Sequence, residues 1–227
     1  MTKHLHVDPR HARNQLLSMT ANKTELPVLP LRNLVLFPGL VLPIDVGRTS
    51  SLRLIDDVAS RGPDARLVVA SQRDPQRDDP QPEDLHPIGV LAEILKVLKL
   101  SETRITVVLR GLERCRLVEY PRRAPYLVAR IEGIPDLVAH PVEIEGLALA
   151  VRTVARQVIE LSPEIPDETA TVIEQIQNPG RLADLAAANL DLSTEERLSL
   201  LEDPNVEGRL ERVLAALRHR VEVFRIK

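Results

Sequence analysis

Hydrophobic positions between residues 25 and 135 mostly follow the patterns of β-strands, and those in the rest of the chain follow helical spacing. The first apolar run, residues 25–48, carries four prolines, which lack a backbone donor and hold the preceding residue in extended geometry. The run therefore predicts two or three short strands, with proline at strand ends or on a sheet edge. Residues 66–71 predict a buried strand, and residues 88–100 and 104–111, joined by Ser101–Thr103, predict a hairpin.

Two further strands are predicted over residues 112–119 and 126–134, which keep the composition of strands. A short helix and a loop interrupt the strands. The helix takes its cap from Thr49–Ser51 and ends at Gly62. The loop, residues 72–87, holds four prolines and five acidic residues, and we expect it to lie on the surface without packing.

The second part of the chain predicts five helices. The first has a seam of apolar residues at alternating spacings of three and four, from Ile144 to Leu161. Ser193 and Glu196 form a capping box for the fourth. The five helices are predicted over residues 144–161, 167–177, 181–188, from Ser193 onward, and over 205–225.

This order, strands first and helices later, is typical of the α+β class with segregated halves. We expect a flexible polar arm over residues 1–24, a β-rich part over 25–136 and a helical part over 137–227. The last helix stays amphipathic up to the final residue. This predicts either that the chain is a fragment or that the helix leads into a further module.

Composition narrows the functions that the chain can have. Apolar residues make up 44% but aromatic residues only 2%, so the core is aliphatic and a base-stacking platform for single-stranded nucleic acid is disfavoured. The net charge of −3 provides no field that would attract nucleic acid or an anionic membrane. The sequence has neither an apolar stretch that could span a bilayer nor an apolar signal segment, so we expect a cytoplasmic protein.

Residue types that carry catalysis are sparse. The single cysteine, Cys115, lies in a predicted strand with no histidine nearby in sequence, which favours a structural thiol in a reducing compartment. His4, His6 and His11 lie in an unpatterned tail, which is a weak basis for a metal site. The motifs of phosphate loops, zinc proteases and serine hydrolases are missing, so we predict no enzyme activity and no catalytic, cofactor or metal residues.

The opening run resembles the start of the N-terminal domain of ATP-dependent Lon proteases. In that family an extended LPLR stretch precedes an apolar strand, two spaced prolines and a VGR. The matching residues here are Leu29–Arg32, Leu34–Phe37, Pro38 with Pro43, and Val46–Arg48.

Two later blocks extend the resemblance. Val107–Gly111 and Arg114–Arg116 are similar to the family's VLVEG-like and R-x-R-like strands. Leu182–Asp184, Arg197–Glu202 and Arg209–Leu217 are similar to three segments of the family's helical region. The order and spacing of the three blocks make the match specific.

The resemblance implies a β-rich, PUA-like pseudo-barrel followed by a helical bundle, acting as the substrate-recognition domain of a Lon protease. The partners that it implies are unfolded or degron-bearing proteins, and other copies of the chain in a homo-hexamer of the full-length enzyme. In the family, ATP, Mg²⁺ and the Ser-Lys protease chemistry belong to later domains that these 227 residues do not contain.

We expect substrates to bind through apolar residues that the fold leaves uncovered. The alternative is that these side chains simply close the end of the barrel core. The candidates are at a Pro-Gly loop and at the hairpin end: Phe37, Pro38, Leu40, Val97, Leu98 and Leu100.

A second class of function remains open from the sequence: a standalone adaptor or scaffold with the same fold and no protease attached. The coding sequence past residue 227 distinguishes the two. RNA binding would follow only from analogy with PUA folds, and the low aromatic content and negative net charge disfavour it.

Overall fold

The strands predicted from the sequence form one six-stranded sheet in the computed structural model, which describes residues 24–162, 165 and 168–226. Apart from Thr24, the predicted arm lies outside the described residues, and so do its three histidines. The strands are β1 Glu25–Leu31, β2 Val41–Val46, β3 Arg66–Ser71, β4 Ile88–Lys99, β5 Ile105–Arg122 and β6 Val128–Gly133.

The strand order is β2-β5-β4-β3-β1-β6, and β6 also pairs with β5. This second pairing closes five strands into a barrel and leaves β2 as an added strand on one side. All the pairings are antiparallel except the parallel pairing of β1 with β3. The predicted α+β architecture with a barrel-like β part is confirmed.

The prediction of separate strands over residues 104–111 and 112–119 was wrong, because both segments belong to the single strand β5. The strand changes partner instead of ending: β2 pairs with it up to Arg110, and β6 pairs with it from Cys115. Between these points Gly111 passes directly beneath Phe37, where a Cβ atom would lie 2.4 Å from the Phe37 carbonyl oxygen. Glycine therefore allows the strand to continue under the 34–40 segment.

The prolines of β1 fit the sheet because β1 also changes partner. The Val28 N–H donates to the Leu127 carbonyl on the β6 side, and backbone donors alternate in direction along a strand. The backbone nitrogen of Pro30 therefore points toward β6, past the last residue of β1 that pairs with β6. The nitrogen of Pro27 points toward β3, before the first residue of β1 that pairs with β3. Neither proline removes a ladder bond, although both lie inside an internal strand rather than at its ends.

The helices follow the predicted order with corrected starts. The first begins at Thr49 with Arg48 as its N-cap and no side-chain cap bond, so Thr49–Ser51 do not cap it. Asn178 accepts a hydrogen bond from the Arg181 N–H, so the helix predicted over residues 181–188 begins at Pro179 rather than at Arg181. The helices are α1 Thr49–Ser60, α2 Pro141–Leu161, α3 Glu168–Gln175, α4 Pro179–Asn189, α5 Thr194–Glu202 and α6 Val206–Ile226.

Two helix-end predictions are confirmed. The Ser193–Glu196 capping box is present at the start of α5. Gly62 follows α1 at φ +96°, a conformation that favours glycine. The acidic loop 72–87 is more packed than predicted, because Leu85 is buried beneath the sheet and bridges to Gln72.

One aliphatic core joins the sheet to the helices. It holds buried strand residues such as Val107 and Leu109 together with helix residues such as Val151 and Leu210. Helices α2, α4 and α6 pack against one another around this core. A second, smaller cluster on another side of the sheet contains Cys115.

An arginine–aspartate cluster, made of Arg114, Asp136, Asp184 and Arg209, lies where the sheet meets the helices. Arg114 of β5 donates two hydrogen bonds to Asp184 of α4, at 2.8 and 2.6 Å, and a third to the Leu201 carbonyl. Arg209 of α6 donates to Asp136 at 2.9 Å. The side chains of Arg114, Asp184 and Arg209 are almost fully buried, whereas Asp136 is partly exposed at the edge of the cluster.

Gly180 makes room for the cluster. A Cβ atom at this position would lie 2.1 Å from Asp136 Oδ2 and 2.8 Å from Arg209 Nη2. The Asn178–Gly180 segment therefore caps α4 and also lets the helix approach the cluster closely.

We expect Asp184→Asn to lower the free energy of unfolding by about 3–5 kcal/mol, because it leaves two buried guanidinium groups without their shared carboxylate. Urea unfolding followed by circular dichroism measures this. Asp191→Asn, at an exposed position two residues beyond α4, is the matched control and should change stability by less than about 0.5 kcal/mol. Equal stability of the two variants would contradict this role of the cluster.

Candidate functional site

Four exposed aliphatic side chains lie close together at the end of the β4–β5 hairpin. Leu95, Val97, Leu98 and Leu100 are 45, 37, 40 and 61% exposed. Val97 pairs with Val107 and Leu98 with Thr106, so these two side chains lie on opposite faces of the hairpin. The hairpin end is therefore apolar on both faces, and we call residues 95–100 the hairpin patch.

The hairpin patch also has an unpaired backbone edge. Strand β4 pairs with β3 only through Val90–Glu93, so on that side residues 95–99 have no strand partner among the described residues. A register shift between Ile94 and Lys96 marks the point where β4 leaves the body of the sheet. Lys96 and Lys99 place charges along this edge, as proteins commonly do to limit edge-to-edge aggregation.

The predicted loop residues have a different environment. Phe37 is fully buried in the core and Pro38 is also buried, so neither presents a surface to a ligand. The loop is fixed on β5, because the Gly39 N–H donates to the Gly111 carbonyl and the Gly111 N–H donates to the Leu40 carbonyl, both at 2.8 Å. Leu40 is half-buried and is the one residue of the three with an open side.

Leu40 lines a groove of about 230 Å³ between this loop and the ends of helices α4 and α5. Leu34 and Val41 also lie at the groove and are 38 and 52% exposed, but the sequence did not indicate them as binding candidates. Both belong to the same proline-rich run, but nothing in the run distinguishes outward from inward side chains before the strand register is known.

The structure does not bring the two predicted groups together. Leu40 contacts β5 at Gly111, whereas Leu98 lies opposite Thr106, five residues away along the same strand. At the rise of a β-strand this separation is about 17 Å. The hairpin patch and the groove are therefore two separate apolar surfaces at different ends of one ribbon.

Cys115 lies in the smaller core cluster and is 1% exposed. Burial raises the pKa of its thiol to about 12, so the thiol stays protonated and unreactive near neutral pH. Within the described residues no group of three or more potential metal ligands is present. The helices that the structure describes include none long and apolar enough to cross a membrane.

The closed sheet, the helical layer on it and the exposed aliphatic surfaces are typical of a binding module. A family model described as the ATP-dependent protease La (LON) substrate-binding domain matches residues 25–219. The chain belongs to this family.

Relatives and solved structures agree with this assignment. Lon protease 2 of Myxococcus xanthus is 41% identical over 202 residues, which are 88% of this chain and 24% of that protein. Lon protease of Anaeromyxobacter dehalogenans is 41% identical over 203 residues, again 88% of this chain and 24% of that protein. The chain thus spans about a quarter of the length of these relatives.

Two solved structures share the fold. The N-terminal domain of a Mycobacterium avium complex Lon protease superimposes with a TM-score of 0.71 at 22% identity, covering 86% of this chain and 98% of that one. A Lon N-terminal domain protein from Xanthomonas campestris superimposes with a TM-score of 0.58 at 23% identity, covering 85% of this chain and 98% of that one.

We expect Cys115 to react with Ellman's reagent only as fast as the domain unfolds, because the protonated thiol is enclosed in the core. Absorbance of the released thiolate at pH 8 measures the rate. The matched control is Ser101→Cys at the exposed hairpin turn, which should react within seconds. Rapid labelling of Cys115 in the native protein would contradict its structural role.

Proposed function

We propose that this domain binds exposed apolar segments of unfolded or degron-bearing proteins, for degradation by ATPase and Ser-Lys protease domains of a Lon protease. The observation that carries the proposal is the hairpin patch, where aliphatic side chains and an unpaired strand edge coincide. Exposed contiguous apolar surface on a folded domain commonly marks an interaction site.

The edge of β4 suggests how an unfolded chain is held. An extended segment can add to residues 95–99 as a further strand, so that its backbone groups pair with those of β4. Its apolar side chains on one face then pack against Val97, and those on the other face pack against Leu98. Backbone pairing is independent of sequence, which suits a site that accepts many different clients.

The alternative is a standalone adaptor with no protease attached. The relatives are named as proteases and are about four times as long as the matched region, which favours the protease-linked function. The same lengths support the proposal that ATP binding, peptide cleavage and hexamer formation reside in other parts of such a protein.

We expect Leu98→Asp and Leu100→Asp each to weaken binding of a permanently unfolded protein, such as reduced carboxymethylated lactalbumin, about tenfold or more. Each change removes an apolar contact worth about 1.5–3 kcal/mol when fully buried, and 1.4 kcal/mol corresponds to a tenfold change in affinity. Fluorescence anisotropy with labelled client gives the dissociation constants.

Leu149→Asp is the control, since Leu149 is 64% exposed on α2 and outside both apolar surfaces. It should leave client affinity unchanged, and urea unfolding should show that all three variants are folded. If folded Leu98→Asp and Leu100→Asp variants bound the client as tightly as the parent, the hairpin patch would not be the site.

A further inference from the structure

A cavity of about 320 Å³ opens beside the N-terminus of α1. The two sequence motifs of the opening run, Leu29–Arg32 and Val46–Arg48, both line it, although β1 and β2 are not paired with each other. Most of the wall is aliphatic. The remaining lining residues are Leu34, Ile44, Asp45 and Ser51.

The cavity is cationic on one side. Arg48 is half-buried and donates a hydrogen bond to Gln72 Oε1, but within the described residues it forms no ion pair. Burial and the positive charge of Arg32 lower the pKa of Arg48, and the negative charges of Asp78 and Asp79 oppose this. Arg32 pairs with Asp78 at 2.7 Å, but that carboxylate is almost fully exposed to solvent.

The start of α1 adds further donors. This helix of 12 residues has no side-chain cap and no acidic residue in its first turn, so the amides of that turn lack a side-chain acceptor within the part of the chain that the structure describes. Ser51 is only 6% exposed and lines the cavity, and its hydroxyl has no hydrogen-bond partner among the described residues. The Ser51 hydroxyl, a half-buried guanidinium group and helix amides without a side-chain cap together are suited to an anion.

We propose that this cavity binds the C-terminal carboxylate of a client polypeptide that ends in an aliphatic residue. The inference rests on the proposed function, since it assigns a second site for the same clients. The α-carboxylate lies against Arg48, Ser51 and the first-turn amides, and the last side chain lies against the aliphatic wall.

Two features favour a chain terminus over a phosphate ion. The wall is largely aliphatic, which suits an apolar side chain attached to the carboxylate and gives a phosphate no partner. Asp45 also lines the cavity, where its carboxylate accepts a hydrogen bond from Thr106 at 2.6 Å and would repel a dianion more than a single negative charge.

Leu34 connects this cavity to the groove beside Leu40, because its side chain lines both. A client chain that ends in the cavity can therefore continue across Leu34 along apolar surface. This continuity gives the preceding residues of the client a place to bind.

Labelled decapeptides that end in leucine, as the free acid and as the amide, test the inference by anisotropy. We expect the free acid to bind at least tenfold more tightly than the amide. Arg48→Gln should reduce the affinity of the free acid to that of the amide and leave the amide unaffected, and Ser51→Ala should act in the same direction. Arg53→Gln, at an exposed position on the same helix, is the control and should change neither.

Equal affinity of the parent for acid and amide would overturn the inference. So would an amidated peptide with an internal aspartate that bound as tightly as the free acid, since the site would then take side-chain carboxylates. Binding of carboxymethylated lactalbumin is measured in parallel. If that client binds through the hairpin patch while acid and amide bind equally, this inference fails and the proposed function stands.

Discussion

The buried arginine–aspartate cluster is the interaction on which the arrangement of this domain depends. Arg114 belongs to the longest strand, Asp184 and Arg209 to two different helices, and Asp136 to the segment that connects the sheet to α2. Arg114, Asp184 and Arg209 are almost fully buried, and the cost of removing these three charges from water is offset only when the geometry of all the partners is correct. The cluster therefore fixes one orientation of the helices on the sheet, which an aliphatic core alone would specify less strictly.

This cluster also explains what several of the family's sequence motifs do in the fold. Arg114, Asp184 and Arg209 each lie in a different one of the segments matched by resemblance, 70 and 25 residues apart, and they meet in the fold. The LPLR and VGR segments likewise converge on one cavity. Neither convergence could be predicted from spacing, because both depend on contacts between distant parts of the chain.

What the sequence predicted and what it missed have a common explanation. Alternation and helical spacing predicted most of the strands and helices, since these patterns reflect which face of each element is buried. The same patterns could not show that β5 continues through Gly111, because the reason is a close approach of Phe37 from another segment. Val97, Leu98 and Leu100 lie at the exposed hairpin end, whereas Phe37 and Pro38 are buried. A short apolar run has the same sequence pattern whether the fold exposes or buries it, so the sequence could not distinguish the two groups.

In the proposed function, the outer edge of β4 at residues 95–99 receives an extended client segment. Amide hydrogen exchange of the domain, measured by NMR with and without a permanently unfolded client, tests it most directly. We expect the exposed amides of residues 95–99 to exchange more slowly when the client is bound, and the exchange of amides along α2 to stay unchanged. Protection confined to other surfaces, with unchanged exchange at residues 95–99 under saturating client, would contradict it.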